Sequence, residues 1–77
     1  MKKLTQILSD VLRIDESKIT DDLAIHQSQA WNSLTHIELV LMIEEAFEIQ
    51  LTEDEIVAMT SVREIKKVLH ERGLNAE

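Results

Sequence analysis

The chain has 77 residues, a formal net charge of −7 at pH 7 and no cysteine. A domain of this size hides only about 60% of the surface that its unfolded chain exposes, which leaves little room for the deep cleft of an enzyme. Nucleic acids and anionic membrane surfaces attract clustered Lys and Arg, so we expect neither as a partner. The lack of cysteine excludes disulfides, thiolate zinc sites and thiol nucleophiles.

The apolar runs of the sequence are short. The first residues turn polar too early for a secretory signal. The longest uncharged apolar run, Leu39 to Ile43, is far too short to cross a bilayer. We therefore expect residues 1–77 to form a single soluble domain, monomeric and located in the cytoplasm.

The charges are distributed unevenly. No Lys or Arg occurs between Ile19 and Val62, and the charged side chains of this segment are Asp and Glu. A field of one sign steers basic partners toward the segment. An acidic stretch often only solubilises a surface, but this one overlaps the most apolar predicted helix, which favours a binding face.

The first helix is predicted from one apolar stripe. Apolar residues recur at three- and four-residue spacings, at Leu4, Ile7, Leu8, Val11 and Leu12. This period predicts a helix from residue 2 or 3 to residue 12.

A segment without a long period follows, from Arg13 to Asn32. Residues 15–18 have the composition of a short turn or of one helical turn. Isolated apolar residues predict that the segment is an ordered loop that lies against the core: Ile19, Leu23 and Ile25.

The second helix is predicted to start after Asn32 and to end near Phe47 or Glu48. The side-chain oxygen of Asn32 can cap the first turn, which is typically worth about 1 kcal/mol, and Ser33 then occupies the first helical position. We assign one apolar face to the core: Leu39, Val40, Ile43 and Phe47. We assign the adjoining stripe to the surface, bordered by glutamates: Leu34, Ile37 and Leu41, with Glu38, Glu44 and Glu45.

Two capping boxes predict the remaining helices. Thr52 with Glu55 opens a short third helix, and Ser61 with Glu64 opens a fourth that Gly73 is placed to end. We expect residues 74–77 to be frayed. The predicted fold class is all-α: a small four-helix bundle with three longer helices, a short third helix and a long ordered loop between helices one and two.

The second helix carries residues that could serve three kinds of chemistry. Ser33 and His36 are neighbours on a helix, but a nucleophile and its base also need an orienting group and a sheltered pocket. The sequence shows neither, so we expect no catalysis and an exposed, polar His36. The acidic residues lack EF-hand spacing, and no metal site is predicted. A serine at a helix start, beside free N–H groups, is instead a favourable place for a phosphate.

The second helix resembles that of the acyl and peptidyl carrier protein family. That family reads Asp-Ser-Leu, three residues, Glu-Leu, and then an acidic pair and an aromatic residue. The corresponding residues here are Asn32-Ser33-Leu34, Glu38-Leu39, Glu44-Glu45 and Phe47. The segments 49–52 and 60–62, the first helix and residues 22–23 of the loop also fit, so the resemblance covers nearly the whole chain.

The resemblance implies a carrier with no catalysis of its own. A phosphopantetheinyl transferase would use coenzyme A and a magnesium ion to attach 4′-phosphopantetheine to Ser33. The thiol of this arm would carry an acyl or aminoacyl group as a thioester between acyl-activating, acyl-transferring and condensing enzymes. These partners would present basic patches to one docking face: Leu34, Ile37, Glu38, Leu41, Glu44 and Glu45.

One position departs from the family pattern, because Asn32 stands where the family has Asp. Asn caps a helix about as well as Asp, so we expect an unchanged fold. The missing negative charge leaves open how efficiently Ser33 is modified. Trp31 and the run 27–29, where fatty-acid carriers often have glycine, favour a carrier of a specialised pathway. The alternative is an unmodified acidic adaptor that docks a basic partner through the second helix.

Overall fold

The computed structural model describes residues 3–27 and 29–74. Its helices are α1 (Leu4–Leu12), α2 (Ser33–Phe47), α3 (Glu53–Ala58) and α4 (Val62–Glu71), with one 3₁₀ turn at Glu16–Lys18. Extended pairing in the described ranges is limited to an antiparallel bridge between Ala24 and Ser61. The predicted all-α class, with three longer helices and a short third one, is confirmed.

The helix ends follow local hydrogen bonding. Thr52 Oγ1 accepts the Glu55 N–H at 3.2 Å, and the Glu55 carboxylate accepts the Thr52 N–H at 2.9 Å, as the capping box predicts. Ser61 Oγ accepts the Glu64 N–H at 3.2 Å at the start of α4. Gly73 adopts a positive φ of 77° after α4, a conformation that costs glycine little because it has no Cβ.

The carboxyl end of α4 is closed by two backbone bonds. The Gly73 N–H donates to the His70 carbonyl at 2.9 Å, and the Leu74 N–H donates to the Leu69 carbonyl at 3.0 Å. This pair of bonds is a Schellman motif, which satisfies carbonyls that the helix leaves free. The fraying predicted for residues 74–77 is wrong at Leu74, which packs against the core, and residues 75–77 lie outside the described part of the chain.

The core combines apolar side chains from α1, α2 and α4 with residues from the connecting segments. Its fully buried members with the largest side chains are Trp31, Leu4, Ile7, Leu8, Leu39, Ile43, Met59, Ile65 and Leu69. The inward assignment is confirmed for Leu39, Val40 and Ile43, and Phe47 is half-buried against the same cluster. Within the described residues no helix is long and apolar enough to span a membrane.

The long loop between α1 and α2 lies against the bundle, as predicted. Its apolar residues Ile19, Leu23 and Ile25 are partly buried on the core. Backbone bonds of 2.9 Å join Ile25 N–H to the Thr60 carbonyl, and Val62 N–H to the Leu23 carbonyl. The loop is thus tied to the connection between α3 and α4 before it reaches the start of α2.

Two surface ion pairs also join this loop to α4. Asp22 pairs with Arg63 at 2.9 Å, and Asp21 pairs with Lys66 at 2.8 Å. The hydrogen bond and the charge of Lys66 lower the pKa of the Asp21 carboxyl. Exposed pairs of this kind contribute little stability, so the apolar contacts and the backbone bonds hold the loop.

The expectation that His36 is exposed is wrong. Its side chain is only 9% exposed, and both ring nitrogens have partners, Trp31 Nε1 at 3.1 Å and the Ile56 carbonyl oxygen at 3.0 Å. The reason is helical register: His36 lies three residues before Leu39 and four before Val40, on the face that we assigned to the core.

Candidate functional site

Ser33 is exposed at the first position of α2. The preceding residue, Asn32, has extended backbone angles (φ −121°, ψ −173°) and is the N-cap, as predicted. No side chain in residues 3–27 or 29–74 hydrogen bonds to the Ser33 hydroxyl. That hydroxyl is therefore available to an incoming group.

Side chains satisfy most of the free N–H groups at this helix start. Asn32 Oδ1 accepts from the N–H groups of Leu34 at 2.9 Å and Thr35 at 3.1 Å. In return, the Thr35 hydroxyl accepts the Asn32 N–H at 2.9 Å and donates to the Ala30 carbonyl at 2.8 Å. The start of α2 is consequently fixed on both sides of Ser33, while the Ser33 N–H is not used by this network.

Asn32 makes one more contact, which an aspartate could not make. Its Nδ2 donates to the Gln29 carbonyl at 3.0 Å, whereas a carboxylate has no proton to donate. The sequence showed that Asn can replace Asp as a cap. The structure adds that the amide also joins the cap to the end of the long loop.

The electrostatics of the helix start favour a negative group at Ser33. The amino end of a helix carries a partial positive charge from aligned peptide dipoles. The first turn of α2 has no acidic side chain, so no carboxylate of that turn opposes a phosphate at Ser33. The unused N–H of Ser33 adds a donor beside the hydroxyl.

A wide, shallow depression of about 450 Å³ lies beside the cap. The described residues that line it are His26, Gln27, Gln29 and Asn32. Amide and imidazole groups can donate and accept hydrogen bonds. The surface beside the cap therefore offers hydrogen-bonding groups to a chain that contains amides.

The outer stripe of α2 is exposed, as the helical register predicted. Leu34, Ile37 and Leu41 are 70%, 59% and 60% exposed. Glu38 and Glu45 are exposed at the border of this stripe. An apolar patch rimmed by charges of one sign is typical of an interaction surface.

Two details of this surface were not predicted. Val57 of α3 is 74% exposed. The capping box could have predicted this exposure, because it sets the start of α3 and so places Ile56 and Val57 in successive helical positions, which face different directions. Glu44 is half-buried, and its Oε2 accepts the Leu51 N–H at 2.8 Å. Glu44 therefore has a structural contact that Glu45 lacks.

A model of the family described as "Phosphopantetheine attachment site" matches residues 2–69. The chain belongs to this family. Its relatives include the acyl carrier protein of Rubrobacter xylanophilus, which is 31% identical over 64 residues, 83% of this chain and 79% of that protein. The acyl carrier protein of Buchnera aphidicola is 32% identical over 68 residues, 88% of this chain and 87% of that protein.

A third relative, the acyl carrier protein of Guillardia theta, is 38% identical over 53 residues, 69% of this chain and 65% of that protein. Family membership confirms the predicted cofactor, 4′-phosphopantetheine, and a carrier role without catalysis. The buried His36, with both ring nitrogens engaged, likewise offers no free base to Ser33.

Proposed function

We propose that Ser33 is the residue to which 4′-phosphopantetheine is attached, and that the loaded arm carries acyl or aminoacyl groups between enzymes. The observation that carries this proposal is an exposed, unengaged serine hydroxyl at the first position of α2, at the serine of the family pattern. When bound, the arm supplies a thiol that holds the cargo as a thioester.

The residues around Ser33 have separate tasks in this function. Asn32 and Thr35 fix the helix start, so a transferase meets the Ser33 hydroxyl in one geometry. The amino end of α2 stabilises the negative charge of a phosphodiester. The depression beside the cap, lined by side chains with hydrogen-bonding groups, accommodates the part of the arm nearest the serine.

The proposed docking face consists of the exposed stripe of α2 and its glutamates: Leu34, Ile37, Glu38, Leu41, Glu44 and Glu45. Its partners are the phosphopantetheinyl transferase and acyl-activating, acyl-transferring or condensing enzymes with basic docking patches. Charge speeds encounter, and a few apolar contacts give moderate affinity. A carrier needs both, because it must leave each enzyme after transfer.

Residues 1–77 act as one carrier-type domain in this proposal, supported by the family match over residues 2–69. We also propose a cytoplasmic location and a monomer. The lack of cysteine agrees with a reducing compartment, where disulfides are rare.

The test is an intact-mass measurement after incubation with coenzyme A, magnesium and a broad-specificity transferase. Wild type is expected to gain one phosphopantetheinyl group and Ser33→Ala none. Ser17→Ala is the matched control, because Ser17 is also exposed but lies in the 3₁₀ turn. No gain on wild type, or a gain on Ser33→Ala, contradicts the proposal and favours an unmodified adaptor.

A further inference from the structure

Trp31 and His36 form a buried pair that the proposed function does not use. Trp31 is fully buried two residues before Ser33. The two rings are nearly coplanar, with 24° between their planes and centroids 6.1 Å apart, so the indole edge faces the edge of the His36 ring. The pair therefore joins the last residues of the long loop to the first turns of α2.

The hydrogen bonds of the pair have one possible direction. The indole Nε1–H is a donor only, so the His36 Nδ1, 3.1 Å away, must accept. His36 Nε2 then carries the proton and donates to the Ile56 carbonyl oxygen at 3.0 Å. The His36 ring thus joins three segments: the end of the loop, the first turns of α2 and the backbone of α3.

The cap network of Asn32 and Thr35 cannot replace this connection. Its bonds are local, and they set the conformation of the helix start without fixing α2 against α3. In the described part of the chain, the bond from His36 to Ile56 is the one side-chain hydrogen bond that joins α2 directly to α3. Ile56 precedes the exposed Val57, so the same bond ties α2 to the helix that carries this exposed side chain.

We propose that His36 is a positioning residue for Ser33, acting through Trp31 on one side and through α3 on the other. This inference rests on the proposed attachment of the arm to Ser33. As a consequence, the Ser33 hydroxyl has a fixed position relative to a transferase that is docked on the outer face of the bundle. Loss of the bridge should impair transfer within the docked complex and leave docking itself intact.

Three variants separate the two bonds of the bridge. Trp31→Phe removes the indole donor and keeps a buried ring. His36→Gln removes the acceptor for Trp31 and places an amide N–H near Nε2, whereas His36→Asn keeps a polar group near Nδ1 and loses the bond to Ile56. Ile65→Val is the matched control, because it trims a fully buried side chain that belongs to α4 and takes no part in the bridge.

The experiment measures kcat and KM for transfer of phosphopantetheine to each variant, under conditions where circular dichroism shows the variant folded. We expect Trp31→Phe and His36→Gln each to lower kcat about fivefold, the factor that one neutral hydrogen bond represents, with KM unchanged. Because both remove the same bond, the double variant should fall no further than either single one. His36→Asn should also lower kcat, and Ile65→Val should not.

A second measurement reports on the bridge without the transferase. Trp31 is the only tryptophan, so its indole N–H gives one NMR signal, which should shift in His36→Gln and stay in place in Ile65→Val. An unmoved signal in His36→Gln, a change confined to KM, or a kcat equal to that of Ile65→Val overturns the positioning role. If wild type itself is not modified, the proposed function fails. If wild type is modified and the bridge variants behave like Ile65→Val, only the positioning role fails.

Discussion

The Glu44 carboxylate accepts the backbone N–H of Leu51 at 2.8 Å, and this bond joins the last turns of α2 to the segment that leads into α3. Leu51 is buried, so its N–H would otherwise lack a partner in a place that water reaches poorly. Glu45, the next residue, is exposed. Adjacent glutamates of one acidic pair thus have different physical roles.

We predict that Glu44→Ala and Glu45→Ala differ in stability. Removing a charged acceptor from a partly buried N–H costs about 1–3 kcal/mol, so Glu44→Ala should lower the free energy of unfolding by that amount. An exposed substitution usually changes it by less than about 0.5 kcal/mol, which we expect for Glu45→Ala. Urea titration followed by circular dichroism measures both, and equal losses would contradict the structural role of Glu44.

We predict that Leu39→Ala and Leu41→Ala separate the two faces of α2. Leu39 is fully buried and Leu41 is 60% exposed. Truncation of a buried leucine costs about 2–5 kcal/mol, including the cavity that it leaves. Leu39→Ala should therefore destabilise the bundle strongly in thermal or urea unfolding. Leu41→Ala should leave unfolding nearly unchanged and weaken transferase docking, seen as a higher KM.

We predict that charge reversal on the outer face of α2 slows modification of Ser33. Glu38→Lys with Glu45→Lys removes the acidic rim without breaking the Glu44 contact, so the protein should stay folded. The rate of transfer at low carrier concentration should fall, most clearly at low salt, where steering by charge is strongest.

The control for this charge reversal is Glu16→Lys with Glu71→Lys. It makes the same change of net charge at exposed positions in the 3₁₀ turn and α4. An equal effect of both pairs would show that net charge matters and that the location on α2 does not.

We predict that the contact between Arg72 and Glu55 stabilises the folded state by an amount that falls in acid. Arg72 Nε donates to Glu55 Oε2 at 2.9 Å. This hydrogen bond, together with the Thr52 N–H, lowers the pKa of Glu55 from its ordinary 4.5 to about 2. Because the folded state favours the charged carboxylate, the stabilisation is complete above the ordinary pKa and is lost as the pH falls toward about 2.

The measurement compares the urea unfolding of wild type and Glu55→Gln from neutral pH down to the lowered pKa of Glu55, about 2. The gap in unfolding free energy should be constant near neutral pH and should close between the two pKa values. Asp54→Asn is the control, since Asp54 is an exposed carboxylate in the same first turn of α3. A gap for Glu55→Gln that does not narrow in acid would show that the ion pair does not stabilise the fold.

We predict that Asn32→Asp changes modification more than stability. Asp keeps the acceptor for Leu34 and Thr35 and adds a negative charge at the helix start, typically worth about 0.3–1 kcal/mol. It also loses the bond from Nδ2 to the Gln29 carbonyl. The gain from the charge and the loss of this bond should therefore nearly cancel in the free energy of unfolding.

If the missing charge limits recognition by the transferase, the catalytic efficiency kcat/KM should rise in Asn32→Asp. Asn32→Ala is the comparison, and it should lower the free energy of unfolding by about 1 kcal/mol through loss of the cap. An efficiency of Asn32→Asp equal to that of wild type would show that Asn serves the transferase as well as Asp.

The sequence by itself determined the helices, their starts and the division of α2 into two faces. These features depend on contacts between residues three and four apart, such as Asn32 with Thr35 and Thr52 with Glu55. Residue type and spacing specify such contacts, because the helix brings the partners together wherever it lies. The exposed Ser33 followed from the same local rules.

Only the tertiary structure decided how α2, α3 and the loop are joined. The partner of His36 on α3 is 20 residues away, and the partner of Arg72 is Glu55, 17 residues away. Histidine occurs in cores and on surfaces, so its residue type did not reveal the bridge to Trp31. Long-range contacts depend on how the helices pack, and that packing fixes Ser33 relative to the rest of the bundle.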